Sequence, residues 1–317
     1  MAISLPEDVT LIEVGPRDGL QSEPQTVPTK RKLEIIQGLV DAGFREIQAT
    51  AFVHPKWVPQ MADADTLIKE LPKQDGVVFN VLVLNSRGLE RALGAGATSV
   101  EVSVSPSDYQ SRRNVNMSAS EAVTEGIAMI RRGKDMGIDV RAGIQCTFGC
   151  THEGEISEAV ILQVVQRFLD AGADRIALAD TTGMATPPGL RSLLPKVLSQ
   201  LDPRRLVLHL HDTRGLGLVN IMTALDFGVR QFDVALGGLG GCPFLKGASG
   251  NVATEDTLHL MESLGIATGI DKAAVACLSL SLEADLGRTF PSRVLRVLSS
   301  SASCQPSDGS PFPGMMA

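Results

Sequence analysis

The 317-residue sequence has no excess of basic residues: 29 lysines and arginines stand against 36 aspartates and glutamates, for a net charge of −7. Nucleic acids and anionic membrane surfaces both bind proteins through a basic face. The missing excess therefore argues against either partner. A local basic pocket for a small anionic molecule is still compatible with this composition.

The sequence also lacks an apolar run long enough to cross a bilayer. Strand-like sequence begins by about Val9, which leaves no room for a signal or transit peptide. We therefore expect a cytoplasmic protein without membrane contact. The stretch 299–317 is rich in serine and proline and has little to bury, so it is predicted to be a disordered tail after a folded domain of residues 1–298.

Cysteines are few and unevenly placed. Cys146 and Cys150 are separated by three residues, and no second close pair is present that would complete a zinc site. Reduced thiols are the simplest expectation for the five cysteines of a cytosolic protein.

What the chain does have is a repeated alternation of short β-rich runs and stretches with helical spacing. The eight runs are VTLIEV from Val9, FREIQAT from Phe44, VVFNVLV from Val77, SVEVSVS from Ser99, DVRAGIQC from Asp139, DRIALAD from Asp174, RLVLHLHD from Arg205 and QFDVALG from Gln231. Five helical stretches end on a glycine before the next run, as is typical where a helix end turns left-handed: Gly43, Gly96, Gly137, Gly172 and Gly228.

Eight strand–helix units predict a parallel sheet, and eight is the number that closes into a barrel. An open doubly wound sheet is the alternative, but no glycine-rich dinucleotide turn follows the first strand. The sequence therefore predicts a (β/α)8 TIM barrel. The run KAAVACLSLSLEADLG lies beyond the eighth unit and predicts an appended C-terminal helical segment from about residue 265.

Active sites of such barrels lie at the C-terminal ends of the strands, which directs attention to the polar residues there. They are Arg17, Asp18 and Gln21 after the first strand, Gln48 and Thr50 near the end of the second, Gln145 and Cys146 at the fifth, Asp180 at the sixth, His209 and His211 at the seventh, and Cys242 and Asn251 in the loop after the eighth.

The two histidines at the seventh strand suggest a metal site. His209 and His211 are two positions apart, so their side chains point to the same side of a strand. With oxygen atoms from Asp18 and Asn251 they form a plausible site for Mg²⁺ or Mn²⁺, although two imidazoles would also accept Zn²⁺ or Co²⁺. Alternatively, one histidine is a core residue and Asn251 is a helix N-cap.

Two further residues have the chemistry of a catalytic group. Arg17 either forms a simple ion pair with Asp18 or polarises a substrate carbonyl and stabilises an enolate. Cys242 lies between glycines and a proline, where a thiol can act as a proton donor or acceptor. A lone cysteine is more often a packing residue, so both interpretations stay open at this point.

The segments EVGPRDGLQ, FVHPKWVPQM, HLHDTRG and GGLGGCPFLKGASGNVATED together resemble the 3-hydroxy-3-methylglutaryl-CoA (HMG-CoA) lyase family, over about residues 7–297. The resemblance implies a retro-Claisen cleavage of the thioester to acetyl-CoA and acetoacetate, and with it leucine degradation and ketone-body formation. It implies Asp18, His209, His211 and Asn251 as metal ligands.

The resemblance also implies roles for the remaining site residues. Arg17 would bind and polarise the thioester, and Cys242 would transfer a proton. The base that removes the hydroxyl proton would be His209, or Asp18 acting through water. The residues expected to contact the substrate are Arg17, Gln21, Gln48, Asp180, Arg214 and Arg288, the last at a basic position of the family's CoA region.

Three positions depart from the family pattern. Gln48 stands where the family carries a glutamate, Ala235–Leu236 replaces a Ser-Val pair, and Arg214 replaces a tyrosine. A glutamine keeps the shape of a glutamate without its charge, and an arginine could anchor a carboxylate. These changes would leave the cleavage chemistry in place and could alter the choice of substrate.

Several functions are therefore weighed. The first is cleavage of HMG-CoA, and the second is cleavage of a related 3-hydroxyacyl-CoA such as citramalyl-CoA. A condensing synthase ranks lower, because such synthases often carry a regulatory domain and only about fifty residues follow the eighth unit here. A non-catalytic CoA-binding barrel is disfavoured by the full set of site residues. We expect an acyl-CoA thioester as substrate and a homodimer or higher homo-oligomer, since barrels of this kind often pair.

Overall fold

The computed structural model describes residues 5–242 and 245–300, and for 241–242 and 245–249 it describes only the backbone. Most of the predicted tail therefore lies outside the described residues, together with Cys304. The side chain of Cys242 does so as well.

The predicted barrel is confirmed: eight parallel strands pair in chain order, and the first closes on the eighth. The strands are β1 (Thr10–Glu13), β2 (Glu46–Ala51), β3 (Val78–Val83), β4 (Ser99–Val104), β5 (Asp139–Ile144), β6 (Arg175–Ala179), β7 (Leu206–His209) and β8 (Gln231–Val234). Each corresponds to one of the eight β-rich runs of the sequence. A short antiparallel pair, β9 (Gly241–Cys242) and β10 (Leu245–Ser249), follows β8.

Helices surround the barrel and extend beyond it. They are α1 (Thr29–Asp41), α2 (Ala64–Glu70), α3 (Ser86–Ala95), α4 (Asp108–Val115), α5 (Ala119–Asp135), α6 (Glu158–Asp170), α7 (Pro187–Leu198), α8 (Gly217–Leu225), α9 (Thr254–Ser263), α10 (Lys272–Leu286) and α11 (Arg293–Ser299). α10 and α11 form the predicted appended segment. Within the described ranges, none of the helices combines the length and the apolar character that a bilayer crossing requires.

The glycines at the helix ends have the predicted conformation. All five have a positive φ, between 72° and 108°. The requirement is strictest at Gly43, where a Cβ would stand 2.3 Å from the carbonyl oxygen of Gly269. Glycine is therefore needed there for the backbone angle and for the close approach of the appended segment.

The cysteine expectation holds only in part. Cys146 and Cys150 are free and buried, as expected of reduced thiols. Cys277, on α10, is disulfide-bonded instead.

The apolar core lies between the strands and the helices, whereas the barrel interior is unusually polar. Branched apolar side chains usually fill the interior of such a barrel. Here several inward-facing side chains are polar or charged and nearly inaccessible to solvent: Gln48, Asn80, Ser99, Glu101, Arg141 and Asp233. Buried polar groups need hydrogen-bond partners. The hydrogen bonds among these side chains extend to residues of the candidate site.

Candidate active site

A cavity of about 900 Å³ opens at the C-terminal ends of the barrel strands. Its floor contains Arg17, Asp18, Gln21, His209 and His211. The loop after β2 and the helix α4 form part of its mouth, through residues such as Trp57 and Arg112. The structure thus brings together in one cavity six of the twelve rim residues predicted from the sequence: Arg17, Asp18, Gln21, Gln145, His209 and His211.

Asp18, His209 and His211 form a compact cluster whose possible ligand atoms all lie within 4.8 Å of one another. The Nε2 atoms of the two imidazoles are 3.1 Å apart. Asn251 stands beside His211 in an antiparallel bridge and donates from Nδ2 to Asp18 Oδ2 at 2.7 Å. The amide oxygen of Asn251 is thereby left available as a further ligand atom.

The donor set fits a divalent metal. Nδ1 of His209 lies 3.0 Å from Asp233 Oδ2, which favours the tautomer with the proton on Nδ1 and a lone pair on Nε2. A carboxylate that orients a histidine in this way is common behind metal-binding imidazoles. Nδ1 of His211 is buried and has no hydrogen-bond partner among the described residues, whereas its Nε2 faces Nε2 of His209.

The electrostatics of the cluster keep Asp18 charged and His211 neutral. Burial would raise the pKa of Asp18, but the Arg17 guanidinium and the two imidazoles outweigh it and hold the pKa far below its ordinary value. Burial and the neighbouring His209 lower the pKa of His211 to about 3. A carboxylate and a neutral imidazole are the protonation states that metal ligation requires.

Arg17 and Asp18 lie on a single π-helical turn, Gly15–Gly19, that follows β1. Arg17 donates from Nη1 to Asp18 and from Nε to Gln48 Oε1, while its Nη2 donates to no described residue. Gln21 Nε2 donates to Asp18 Oδ1 at 2.9 Å. The guanidinium is therefore fixed by two neighbours and keeps one amino group for a ligand.

Beneath the cluster a buried network joins the two sides of the cavity. Gln48 Nε2 donates to Glu101 Oε2 at 2.7 Å. The fully buried guanidinium of Arg141 bonds both Glu101 and Asp233, and Asp233 in turn orients His209. Reasoning from the sequence missed these residues. The available signal was a charged residue in the middle of each of the runs SVEVSVS, DVRAGIQC and QFDVALG.

The loop after β8 is anchored by two buried glutamates. Glu13 Oε1 accepts hydrogen bonds from the backbone N–H of Gly15 at 2.8 Å and of Leu236 at 2.9 Å. Glu255 accepts from the N–H of Gly237 at 2.9 Å. Burial raises the pKa of Glu13 to about 8 and that of Glu255 to about 7. One carboxylate, that of Glu13, thus connects the turn that carries Arg17 and Asp18 to the start of the loop after β8.

Asp180 is buried below the rim instead of lining the cavity. Its Oδ1 accepts from the backbone N–H of Met184 at 2.7 Å and of Ala185 at 3.0 Å. Its Oδ2 has no partner among the described residues, and burial raises its pKa to about 7. The carboxyl group therefore orders the loop after β6, and its expected contact with substrate stays a prediction.

Arg214 and Arg288 are not brought to the cavity. Arg214 donates from Nη1 to the carbonyl oxygens of Thr182 at 2.7 Å and Gly183 at 2.6 Å. Arg288 pairs with Glu23, and its guanidinium lies 5.1 Å from the centre of the Phe290 ring. Both guanidinium groups bind local acceptors, and their expected contact with substrate stays a prediction.

The fold, the cluster and the arginine beside it define a class of barrel enzymes with a candidate metal centre. Residues 8–280 match the model of the HMGL-like family. The chain is 42% identical over 268 residues to mitochondrial hydroxymethylglutaryl-CoA lyase of Macaca fascicularis, covering 84% of this chain and 82% of that protein. The chain belongs to the HMGL-like family.

Solved structures agree with this assignment. The HMG-CoA lyase of Bacillus subtilis superposes with a TM-score of 0.91 at 36% identity, covering 93% of this chain and 99% of that one. An HMG-CoA lyase from Acinetobacter baumannii, solved in complex with coenzyme A and 3-methylmalate, has a TM-score of 0.88 at 39% identity, with 92% and 95% of the two chains covered. The resemblance expected from the motifs is thereby confirmed.

Proposed function

We propose that this chain is a divalent-metal-dependent lyase that cleaves 3-hydroxy-3-methylglutaryl-CoA to acetyl-CoA and acetoacetate. The observation that carries the proposal is the cluster of Asp18, His209 and His211 at the floor of the cavity, with the Arg17 guanidinium beside it. The names of the relatives supply the substrate, and the local geometry supplies groups suited to this chemistry.

Asp18, His209, His211 and Asn251 would hold the metal. Oxygen donors from two of the four favour Mg²⁺ or Mn²⁺. Such an ion, when bound, supplies positive charge that lowers the pKa of a hydroxyl group and orients a carboxylate.

The remaining steps are removal of the hydroxyl proton and stabilisation of the enolate, and we assign them to residues of this chain. Nε2 is the only ring nitrogen of His209 without a carboxylate partner, so this atom cannot ligate and accept a proton at the same time. We give His209 the ligand role, and the proton of the C3 hydroxyl then passes to a water molecule hydrogen-bonded to Asp18 and from there to solvent, while the C3 oxygen becomes the ketone oxygen of acetoacetate. As the bond between C2 and C3 breaks, charge develops on the thioester oxygen. Arg17 Nη2 stabilises that charge, because its hydrogens are donated to no described residue and can point to the oxygen.

The enolate must finally be protonated at carbon to give acetyl-CoA. We assign this step to the thiol of Cys242, whose side chain lies outside the described residues. The support for this role is the sequence context alone, GGLGGCP, which matches the family's loop. We further propose that the protein forms a homo-oligomer and is located in the cytoplasm.

The test is acetyl-CoA release from HMG-CoA and from citramalyl-CoA by metal-stripped protein resupplied with Mg²⁺ or Mn²⁺. Asp18→Ala should reduce kcat by at least about a thousandfold and weaken Mn²⁺ binding in calorimetry, because it removes a charged ligand. His259→Ala, on the exposed surface of α9, is the matched control and should change neither. Metal binding without release of acetyl-CoA from HMG-CoA would contradict the proposed function.

A further inference from the structure

The wall of the cavity that rises from β4 and β5 is polar. Glu101 and Ser103 on β4 both line the cavity. In the sheet, Glu101 is in register with Arg141 and Ser103 with Gly143. These four residues alternate with outward-facing ones, so they stand next to one another on the inner surface of the barrel.

Gly143 makes room for this wall. A Cβ on Gly143 would stand 2.5 Å from Glu101 Oε1 and 3.1 Å from Ser103 Oγ. Any side chain there would displace the carboxylate. The two oxygen atoms are therefore no farther apart than the sum of these two distances, a span that one hydroxyl group can bridge with two hydrogen bonds.

The hydrogen-bond capacity of the two oxygens is unused on the cavity side. Glu101 Oε2 accepts from Arg141 and from Gln48, whereas Oε1 accepts from no described residue. Ser103 Oγ accepts from Gln145 Nε2 at 3.0 Å, and its own hydrogen is donated to no described residue. An acceptor and a donor that face one space match a hydroxyl group, which both donates and accepts.

The position of this pair places it near the reacting end of a substrate. Gln48 connects Glu101 to Arg17, the residue that we place at the thioester oxygen. On the other side, Arg141 and Asp233 connect it to His209. The pair therefore lies beside the acyl group and not along the CoA moiety.

We propose that Glu101 and Ser103 form a subsite for a hydroxyl group on the acyl chain, additional to the hydroxyl at C3. The preferred substrate class is a 3-hydroxyglutaryl-CoA whose C3 substituent is hydroxymethyl instead of methyl. Its cleavage gives acetyl-CoA and 4-hydroxy-3-oxobutanoate by the same bond breakage. This inference rests on the proposed lyase function and names its substrate more closely.

The test compares three thioesters that differ only in the C3 substituent: methyl, ethyl and hydroxymethyl. Ethyl and hydroxymethyl are similar in size, so the ratio of their kcat/KM values isolates the contribution of the hydrogen bonds. For the Mn²⁺-loaded protein the ratio should favour hydroxymethyl by about tenfold to a hundredfold, because an analogue without the hydroxyl leaves the two oxygens unpaired.

Two variants should move this ratio. Ser103→Ala removes the donor. Glu101→Gln replaces the free acceptor by an N–H2 group, because Arg141 and Gln48 require the amide oxygen at the Oε2 position. Both variants should bring the ratio toward one. Ser99→Ala, on the same strand but below the cavity, is the matched control and should leave the ratio unchanged.

The outcomes separate the two proposals. A wild-type ratio near one, with methylglutaryl-CoA cleaved, would overturn the subsite and leave the lyase function standing. A high ratio that neither Ser103→Ala nor Glu101→Gln lowers would also overturn the subsite. Absence of acetyl-CoA release from all three thioesters would overturn both. The wild-type ratio requires no variant, so poor folding of a variant cannot hide the result.

Discussion

The two halves of the cavity are built in different ways. The half formed after β1, β7 and β8, here called the metal half, holds the cluster of Asp18, His209 and His211, with Asn251 bonded to Asp18 and bridged to His211. The half formed by β2, β4 and β5, here called the recognition half, has Glu101, Ser103 and Gln145 on the cavity wall and Gln48 buried behind them, bonded to Glu101. In the proposed function the first half holds the metal ligands, while the second carries the polar groups of the proposed hydroxyl subsite. The comparison suggests that reaction type and substrate choice are set by separate strands.

Arg141 joins the halves through two buried carboxylates, and its loss should have the largest effect. Arg141→Leu leaves Glu101 and Asp233 buried without a cation, so the free energy of unfolding should fall by about 3–5 kcal/mol. Mn²⁺ affinity should fall as well, because Asp233 no longer holds His209. Urea denaturation and calorimetry measure the two effects. Arg131→Leu, at an exposed position of α5, should stay within about 0.5 kcal/mol of the wild type. A loss below about 1 kcal/mol for Arg141→Leu would show that this guanidinium does not hold the two halves together.

A second, intermediate effect concerns the loop anchors beside the metal half. The pKa of Glu255 rises on folding from 4.5 to about 7 through burial, so the folded state binds more protons than the unfolded state between these values. The free energy of unfolding should therefore fall as pH rises from 5 to 7, with up to about 2 kcal/mol from this residue.

Urea denaturation at several pH values measures this effect. Glu255→Gln should flatten the fall in stability, since the amide does not titrate. Glu70→Gln, at an exposed position on α2, should keep the wild-type dependence. A slope that is the same for Glu255→Gln and wild type would show that this carboxyl group does not carry the effect.

The smallest expected effect tests the recognition half directly. In Gln48→Glu a carboxylate oxygen would replace the amide nitrogen that lies 2.7 Å from Glu101 Oε2, so two negative charges would meet. We expect kcat/KM for HMG-CoA to fall by about tenfold, which corresponds to about 1.4 kcal/mol. The double variant Gln48→Glu/Glu101→Gln exchanges charge and amide and should recover most of the loss. A gain of activity in the single variant would instead make Gln48 the cause of a lowered activity toward this substrate.

The fold and the metal half could be predicted from the sequence for a definite reason. Strand period and glycine-terminated helices are local signals, and they located all eight strands. The candidate ligands stand in short motifs, such as HLHDTRG, in which spacing alone fixes the direction of His209 and His211. Asn251 required the resemblance, because a helix N-cap was an equally good local interpretation.

The hydrogen-bond network of the recognition half could not be predicted from local sequence signals. Glu101, Arg141 and Asp233 are single charged residues on three strands far apart in sequence, and only closure of the barrel brings them into contact. The interactions of Arg214 and Arg288 could not be predicted either, because a sequence does not show which acceptor an arginine side chain binds in the folded protein. In both places the acceptors were nearby carbonyl or carboxylate groups of this chain.

Trp57, at the mouth of the cavity, has an optical consequence. It is the only tryptophan of the chain, and 77% of its surface is exposed. An indole in water emits at longer wavelength than one covered by a ligand, and no second indole contributes background. Intrinsic fluorescence can therefore report occupancy of this cavity in the unlabelled protein, including by molecules that bind without reacting.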